Sequence, residues 1–247
     1  MASGLSDFVE TLRHVAERQC LADQSDSQLL ERFVARREQA AFEVLVRRHG
    51  GMVLSVCRRQ LRNSHDADDA FQATFMTLAR KANAIRGSDA VGAWLYKVAL
   101  RIAIRFRARA SRRTSCEEVV SNLTEVASAS DPPAGDLRGV LDEEIARLPE
   151  KYRLVVILYY LEGRTVLEAA RVLGCPRGTV LSRLARAREH LRTRLARRGV
   201  AVSAGMLAAA FAQPSAQATL PAHLAQATVL AAMQPSAAHA MAATVKF

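Results

Sequence analysis

The sequence predicts an all-α protein: two helical domains joined by a flexible linker, followed by an Ala-rich C-terminal extension. Three observations carry this reading. Aliphatic residues, Ala and Arg dominate, while aromatics make up only 5% of the 247 residues. That balance favours helix bundles over β-sandwiches. Apolar residues recur at spacings of three and four in two separate blocks, the period of one helix face. Between the blocks the composition turns acidic and Ser-rich.

Residues 1–25 form a polar lead-in with Asp7 and Glu10 and no apolar run, which does not read as a signal peptide. The first domain, 26–113, is helical with short breaks expected at Gly50-Gly51, Asn63-Ser64 and Gly87-Ser88. Residues 114–136 read as a flexible linker, with Glu117, Glu118, Glu125 and Asp136 around the run Asp131-Pro132-Pro133-Ala134-Gly135. The second domain is the helical block 137–198. The extension, 199–247, has no Lys, Arg, Asp or Glu before position 246 and is broken by Pro214, Pro221 and Pro235. Its longest apolar stretch, Ala201 to Ala212, is shorter than the ~20 residues a bilayer needs, so no membrane span is predicted. Two readings of it stay open: a disordered or partly helical extension, or a regulatory segment whose helix folds back on the DNA-binding domains or engages a partner.

Lys and Arg number 35 against 24 Asp and Glu, a net charge of +11. Such an excess suits a polyanion, either nucleic acid or an acidic membrane surface. Cys20, Cys57, Cys116 and Cys175 are far apart and lack ligand spacing. That argues against a disulfide framework or zinc site and for a reducing, cytoplasmic setting. Neither a metal nor a cofactor is expected.

The strongest local signal lies at 165–192. Thr165 and Glu168 have capping-box spacing. Gly174 stands where a helix is left and Pro176 where the next one opens. Val180, Leu184, Ala187, Leu191 and Leu195 then line one face, with Arg177, Thr179, Ser182, Arg183, Arg186 and Arg188 on the other. Two helices joined by so short a turn make a helix-turn-helix, whose second helix enters a major groove. Arg can read guanine edges there, while Ser and Thr reach phosphates or bases. A basic, solvated hairpin is the plain alternative. A preceding helix from Pro149-Glu150 ends at Gly163 and supplies Leu154, Val155, Leu158 and Leu161 to a core.

In the first domain, Lys97, Arg101, Arg105, Arg109 and Arg113 repeat every four residues, opposite Trp94, Leu95, Val98, Ile102 and Phe106. Like charges at this spacing cost an isolated helix about 0.2–0.5 kcal/mol per pair. A polyanion relieves that repulsion, which favours a nucleic-acid face over a merely solvated one. A basic membrane-surface helix is the competing reading. Upstream, Asp66, Asp69 and Gln72 share one side of a helix start, with Phe75 nearby. On physical grounds alone this is an acidic first turn complementing the helix dipole. As a catalytic carboxylate pair it lacks any accompanying base, nucleophile or metal cluster, so no enzyme is predicted.

Taken together, residues 26 to 198 resemble a bacterial RNA polymerase sigma factor of the extracytoplasmic-function (ECF) group of the sigma-70 family. The first domain resembles sigma region 2 and the second sigma region 4, with no region-three domain between them. By position, the resemblance implies that Asp66, Asp69, Gln72 and Phe75 dock on the clamp of the polymerase β′ subunit. It implies that the loop with Arg86, Ser88 and Asp89 holds a base flipped from the minus-ten element. It gives the helix with Lys97, Arg101, Arg105 and Arg109 the role of minus-ten reader. It gives Thr165, Arg177, Thr179, Ser182, Arg183 and Arg186 the role of minus-thirty-five reader. The implied partners are core RNA polymerase, through the β′ clamp and the β flap, promoter DNA, and a regulator such as an anti-sigma factor. Reading an unstacked base in a pocket, with cations along its backbone, is the physical logic of the first domain. The chain departs from the family at Arg101 and Arg105, where Asn and Asp are frequent. With few aromatics near that helix, stacking contributes little and stringent promoter choice is expected. The rival class is a helix-turn-helix regulator that binds an operator without docking on polymerase.

Overall fold

α1 (Asp26–Arg36) begins where Ser25 closes a capping box: its hydroxyl accepts from the Gln28 amide, and the Gln28 side chain accepts from the Ser25 amide. The computed structural model describes residues 21–61, 63–85, 91–118, 134–200 and 220–234. All regular structure among these residues is helical, in agreement with the all-α expectation. α2 (Gln39–Gln60) and α3 (Ser64–Lys81) follow, then a 3-10 turn (Ala82–Ala84) and α4 (Val91–Glu118). α1 packs on α2, and α2, α3 and α4 pack on one another.

Asn63 breaks the chain as expected, its side chain capping α3 through the His65 amide at 2.9 Å. The expected break at Gly50-Gly51 is not there: α2 runs straight through both glycines. Each Gly costs a helix about 1 kcal/mol, but α2 is packed against α1, α3, α4 and two helices further along the chain, and both residues are covered or half-covered. Tertiary burial outweighs the local preference. The expected break at Gly87-Ser88 lies outside the described residues.

The core of this half is aromatic and aliphatic. Phe33 stacks on Phe42 at 4.7 Å between ring centroids, Phe42 meets Phe75 edge-on at 6.4 Å, and Phe71 meets Phe75 at 5.0 Å.

The second half contains α5 (Ala134–Ala146), α6 (Glu150–Val156) with a widened π-type turn (Ile157–Leu161), α7 (Val166–Val172) and α8 (Arg177–Arg197). α4 and α5 therefore extend into both ends of the expected linker, whose residues 119–133 lie outside the description. α5 packs on α2 and α4 as well as on α8, so the two domains share a seam. Leu141 and Ile145 of α5 join the same apolar cluster as the first domain.

α9 (Ala222–Met233) belongs to the C-terminal extension and packs on α2 and α3. It buries Leu224, Ala225, Thr228, Val229 and Ala232 along one stripe. A Cβ at Gly50 would lie 2.6 Å from Cδ2 of Leu220, just ahead of α9, so the glycine leaves room for that side chain. This segment of the extension is helical and folds back on the first domain. No helix among the described residues is long and apolar enough to cross a membrane.

Candidate nucleic-acid interface

The helix-turn-helix is built as its sequence signals. Thr165 Oγ1 accepts from the Glu168 amide at 3.2 Å and Glu168 Oε2 accepts from the Thr165 amide at 2.7 Å. This hydrogen bonding holds the Glu168 carboxyl below its usual pKa. α7 ends in a Schellman turn. Gly174 has φ 57°, the Cys175 amide donates to Ala170 O at 3.1 Å and the Gly174 amide to Arg171 O at 3.3 Å. Pro176 sits one residue before α8 and fixes its entry.

α8 is divided by what it packs on. Val180 and Leu184 close a small core with Val155, Leu158 and Ala169, while Ala187, Leu191 and Leu195 join the main core. Its arginines divide likewise. Arg194 and Arg198 reach back to Glu144, at 3.4 and 2.9 Å, and so hold α8 on α5. Arg177 is exposed and Arg183 half-buried, with no ion-pair partner among the described residues. Ser182 is exposed and donates to Thr179 O at 3.0 Å; Thr179 is half-buried. Arg186 is exposed beside the Tyr152 hydroxyl, whose pKa it lowers. Thr165 is exposed, its hydroxyl engaged in the cap.

On α4, Lys97, Arg101 and Arg109 are exposed and Arg105 is half-buried. The opposite face buries Leu95, Val98 and Ile102, with Trp94 and Phe106 packed at its edge. The cationic stripe is therefore a true outer face. Arg107 lies off it and donates to Gln60 Oε1 at 2.9 Å. Arg86, Ser88 and Asp89 lie outside the described residues.

On α3, Asp69 is exposed, and Asp66 and Gln72 are half-buried beside it. Phe75 corrects the expectation of a docking side chain: it is 0% exposed. Its ring faces Phe42 and Phe71, so it shapes the helix from within and presents nothing to a partner.

The polar residues that sequence reasoning missed lie at the seam. His49 is 1% exposed, with Nε2 2.8 Å from Asp26 Oδ2 and Nδ1 3.2 Å from Glu162 Oε1. Burial alone would lower its pKa, but Asp26 and then Glu162 raise it to about 10, making it an imidazolium that donates at both nitrogens. Burial would likewise raise both acids. His49, with Arg48 behind Asp26 and Arg164 behind Glu162, holds them below the usual carboxylate range instead. Deeper along the seam, Asp142 accepts from Arg59 at 2.8 and 2.9 Å and from the Tyr96 hydroxyl at 2.9 Å. Burial pushes Tyr96 well above its ordinary pKa. No cluster of metal-ligating side chains occurs among the described residues.

Two family models match this chain: Sigma-70 region 2 over residues 45–113, and Sigma-70, region 4 over residues 138–191. The ECF RNA polymerase sigma factor SigM of Mycobacterium tuberculosis is 32% identical over 171 residues, covering 68% of this chain and 84% of that protein. The ECF RNA polymerase sigma-E factor of Escherichia coli is 31% identical over 180 residues, covering 68% and 94%. Among solved structures, CnrH in complex with the cytosolic domain of CnrY is 25% identical. It covers 70% of this chain and 98% of that chain, with a TM-score of 0.35.

Proposed function

The chain belongs to the ECF group of the sigma-70 family of RNA polymerase sigma factors, and from that premise we infer that it binds core RNA polymerase and directs it to promoter DNA. The observation that carries this is the order of the two matched regions, the first holding an exposed cationic helix and the second a capped helix-turn-helix. The chemistry of RNA synthesis is the polymerase's, and sigma factors are non-catalytic.

Individual roles are carried over by position from the family resemblance, and exposure and charge support them. Asp66, Asp69 and Gln72 form the docking face for the β′ clamp. Lys97, Arg101, Arg105 and Arg109 track the melted minus-ten strand, where cations and unstacked bases favour each other. Arg177, Thr179, Ser182, Arg183 and Arg186 face the minus-thirty-five duplex, and phosphate contacts there make binding fall steeply with salt. Replacing Asp66→Ala with Asp69→Ala is expected to weaken core-polymerase binding at least tenfold, about 1.4 kcal/mol, while the lost helix-dipole contact lowers stability by about 1 kcal/mol or less. Unchanged binding in a pull-down titration favours the operator-binding regulator instead.

A further inference from the structure

α9 is an addition to the two matched regions, since it lies beyond residue 191, where the second match ends. Its buried stripe runs through Leu224, Ala225, Thr228, Val229 and Ala232, and it packs mainly on α2 and α3. Its other side, with His223, Gln226, Ala227 and Leu230, is exposed. α9 therefore lies on the outside of the first domain. Gly50 of α2 gives the extension its seat: a Cβ there would lie 2.6 Å from Cδ2 of Leu220. A residue that weakens α2 by propensity thereby makes room for the chain entering α9.

α3 is also the helix that carries Asp66, Asp69 and Gln72. Positions four and seven residues on from Asp69 fall on the same side of a helix. They are Ala73 and Met76, and both are buried, at 4% and 3% exposure. Phe71 and Phe75 lie on the opposite side, where Phe75 meets Phe42 of α2. The docking face is thus open at Asp69 and closed over within two turns. The cationic stripe is on α4, which is not among the main packing partners of α9.

We propose that α9 is a cover on the polymerase-docking helix, and that α9 and the β′ clamp compete for the flank of α3. This rests on the promoter-directing reading above. The contact is built to part. α9 has no Asp, Glu, Lys or Arg, and only Leu224 and Val229 of its buried stripe are larger than Thr. Thr228 is wholly buried, but its hydroxyl donates to Leu224 O at 2.7 Å within its own helix, so leaving α3 strands no polar group. A helix of 12 residues is marginal by itself. The seat therefore supplies much of the stability of α9, and a clamp that takes the seat also melts the cover.

The test uses two full-length variants and titration with core RNA polymerase. In the first, Gly50→Cys with Leu220→Cys places two thiols where the side chains already meet, so oxidation can join them and hold the extension on α2. Wild type oxidised in the same way controls for the four native cysteines. In the second, Leu224→Asp with Val229→Asp puts two charges into the buried stripe and unseats α9. The oxidised cysteine pair is expected to bind polymerase about tenfold or more weakly than the same protein reduced, because the competent fraction falls by that factor. The aspartate variant is expected to bind about threefold or more tightly than wild type for the converse reason. Equal binding by the oxidised and reduced pair overturns the cover, as does a folded aspartate variant that binds no better than wild type. Where a melting curve shows the aspartates to have unfolded the domain, the cysteine pair, which adds no charge, decides alone. If wild type, the reduced pair and the aspartate variant all fail to bind, the promoter-directing reading falls, and the cover with it.

Discussion

The interior of the first domain and the seam between the domains are made of different materials. Phe33, Phe42, Phe71 and Phe75 pack ring against ring with almost no exposure. The seam mixes apolar contacts with Asp26, His49, Glu162, Arg59 and Asp142. Apolar burial is worth about 25 cal/mol per Å², and nothing in water competes with it. A buried ion pair recovers hydration when it parts, so its net worth is small and its geometry selective. One region is therefore held by apolar burial alone, while the other adds ion pairs whose geometry selects how it seats.

Substitutions break this comparison in order of size. Phe75→Ala empties a fully buried site and is expected to cost about 3–5 kcal/mol, read as a lower denaturation midpoint for the whole first domain. Asp142→Ala strands Arg59 and the Tyr96 hydroxyl. Trapped in a rigid interior, such a loss would cost about 3–5 kcal/mol. Because the Arg59 side chain is 16% exposed and can regain water, we expect about 1–2 kcal/mol in the same denaturation experiment. A loss as large as that of Phe75→Ala would make the seam as rigid as the core.

A further effect is set by pH. His49 faces Asp26 and Glu162 directly, with Arg48 and Arg164 behind them. Its pKa is about 10 in the folded chain against about 6.5 in an unfolded one. Its contribution is therefore complete below pH ~6.5 and is lost as pH rises toward 10. The two acids, held low in the folded state, lose their contributions only as pH falls below about 4. Between pH 7 and 10 the denaturation midpoint of wild type should fall further than that of His49→Gln. Equal slopes would remove His49 from the seam's balance.

What the sequence makes legible is what it writes locally. The capping box at Thr165, the left-handed Gly174 and Pro176 lie within a dozen residues, and each determines its own turn. The cationic stripe is equally local, since a period of four on a helix is one face. Ser25 and Gln28 have the same box spacing, yet the polar lead-in around them hides it. Gly50-Gly51 misleads because propensity is counted per residue, while burial against five elements is not visible in the chain order. Phe75 misleads because lying three residues from Gln72 does not fix which way a ring turns; the Phe42 and Phe71 rings do. The seam is illegible for a plainer reason. His49 and Glu162 are 113 positions apart, and Arg59 and Asp142 are 83 apart. A lone histidine in a helix carries no sign of either acid.

Promoter-directed initiation is the central claim, and run-off transcription with purified core RNA polymerase on a library of upstream sequences tests it most directly. The expected result is transcripts that depend on this chain and start downstream of a shared pair of elements, one read in the duplex and one in the melted strand. Polymerase that starts nowhere new in its presence, while the chain still binds duplex DNA, would contradict the account.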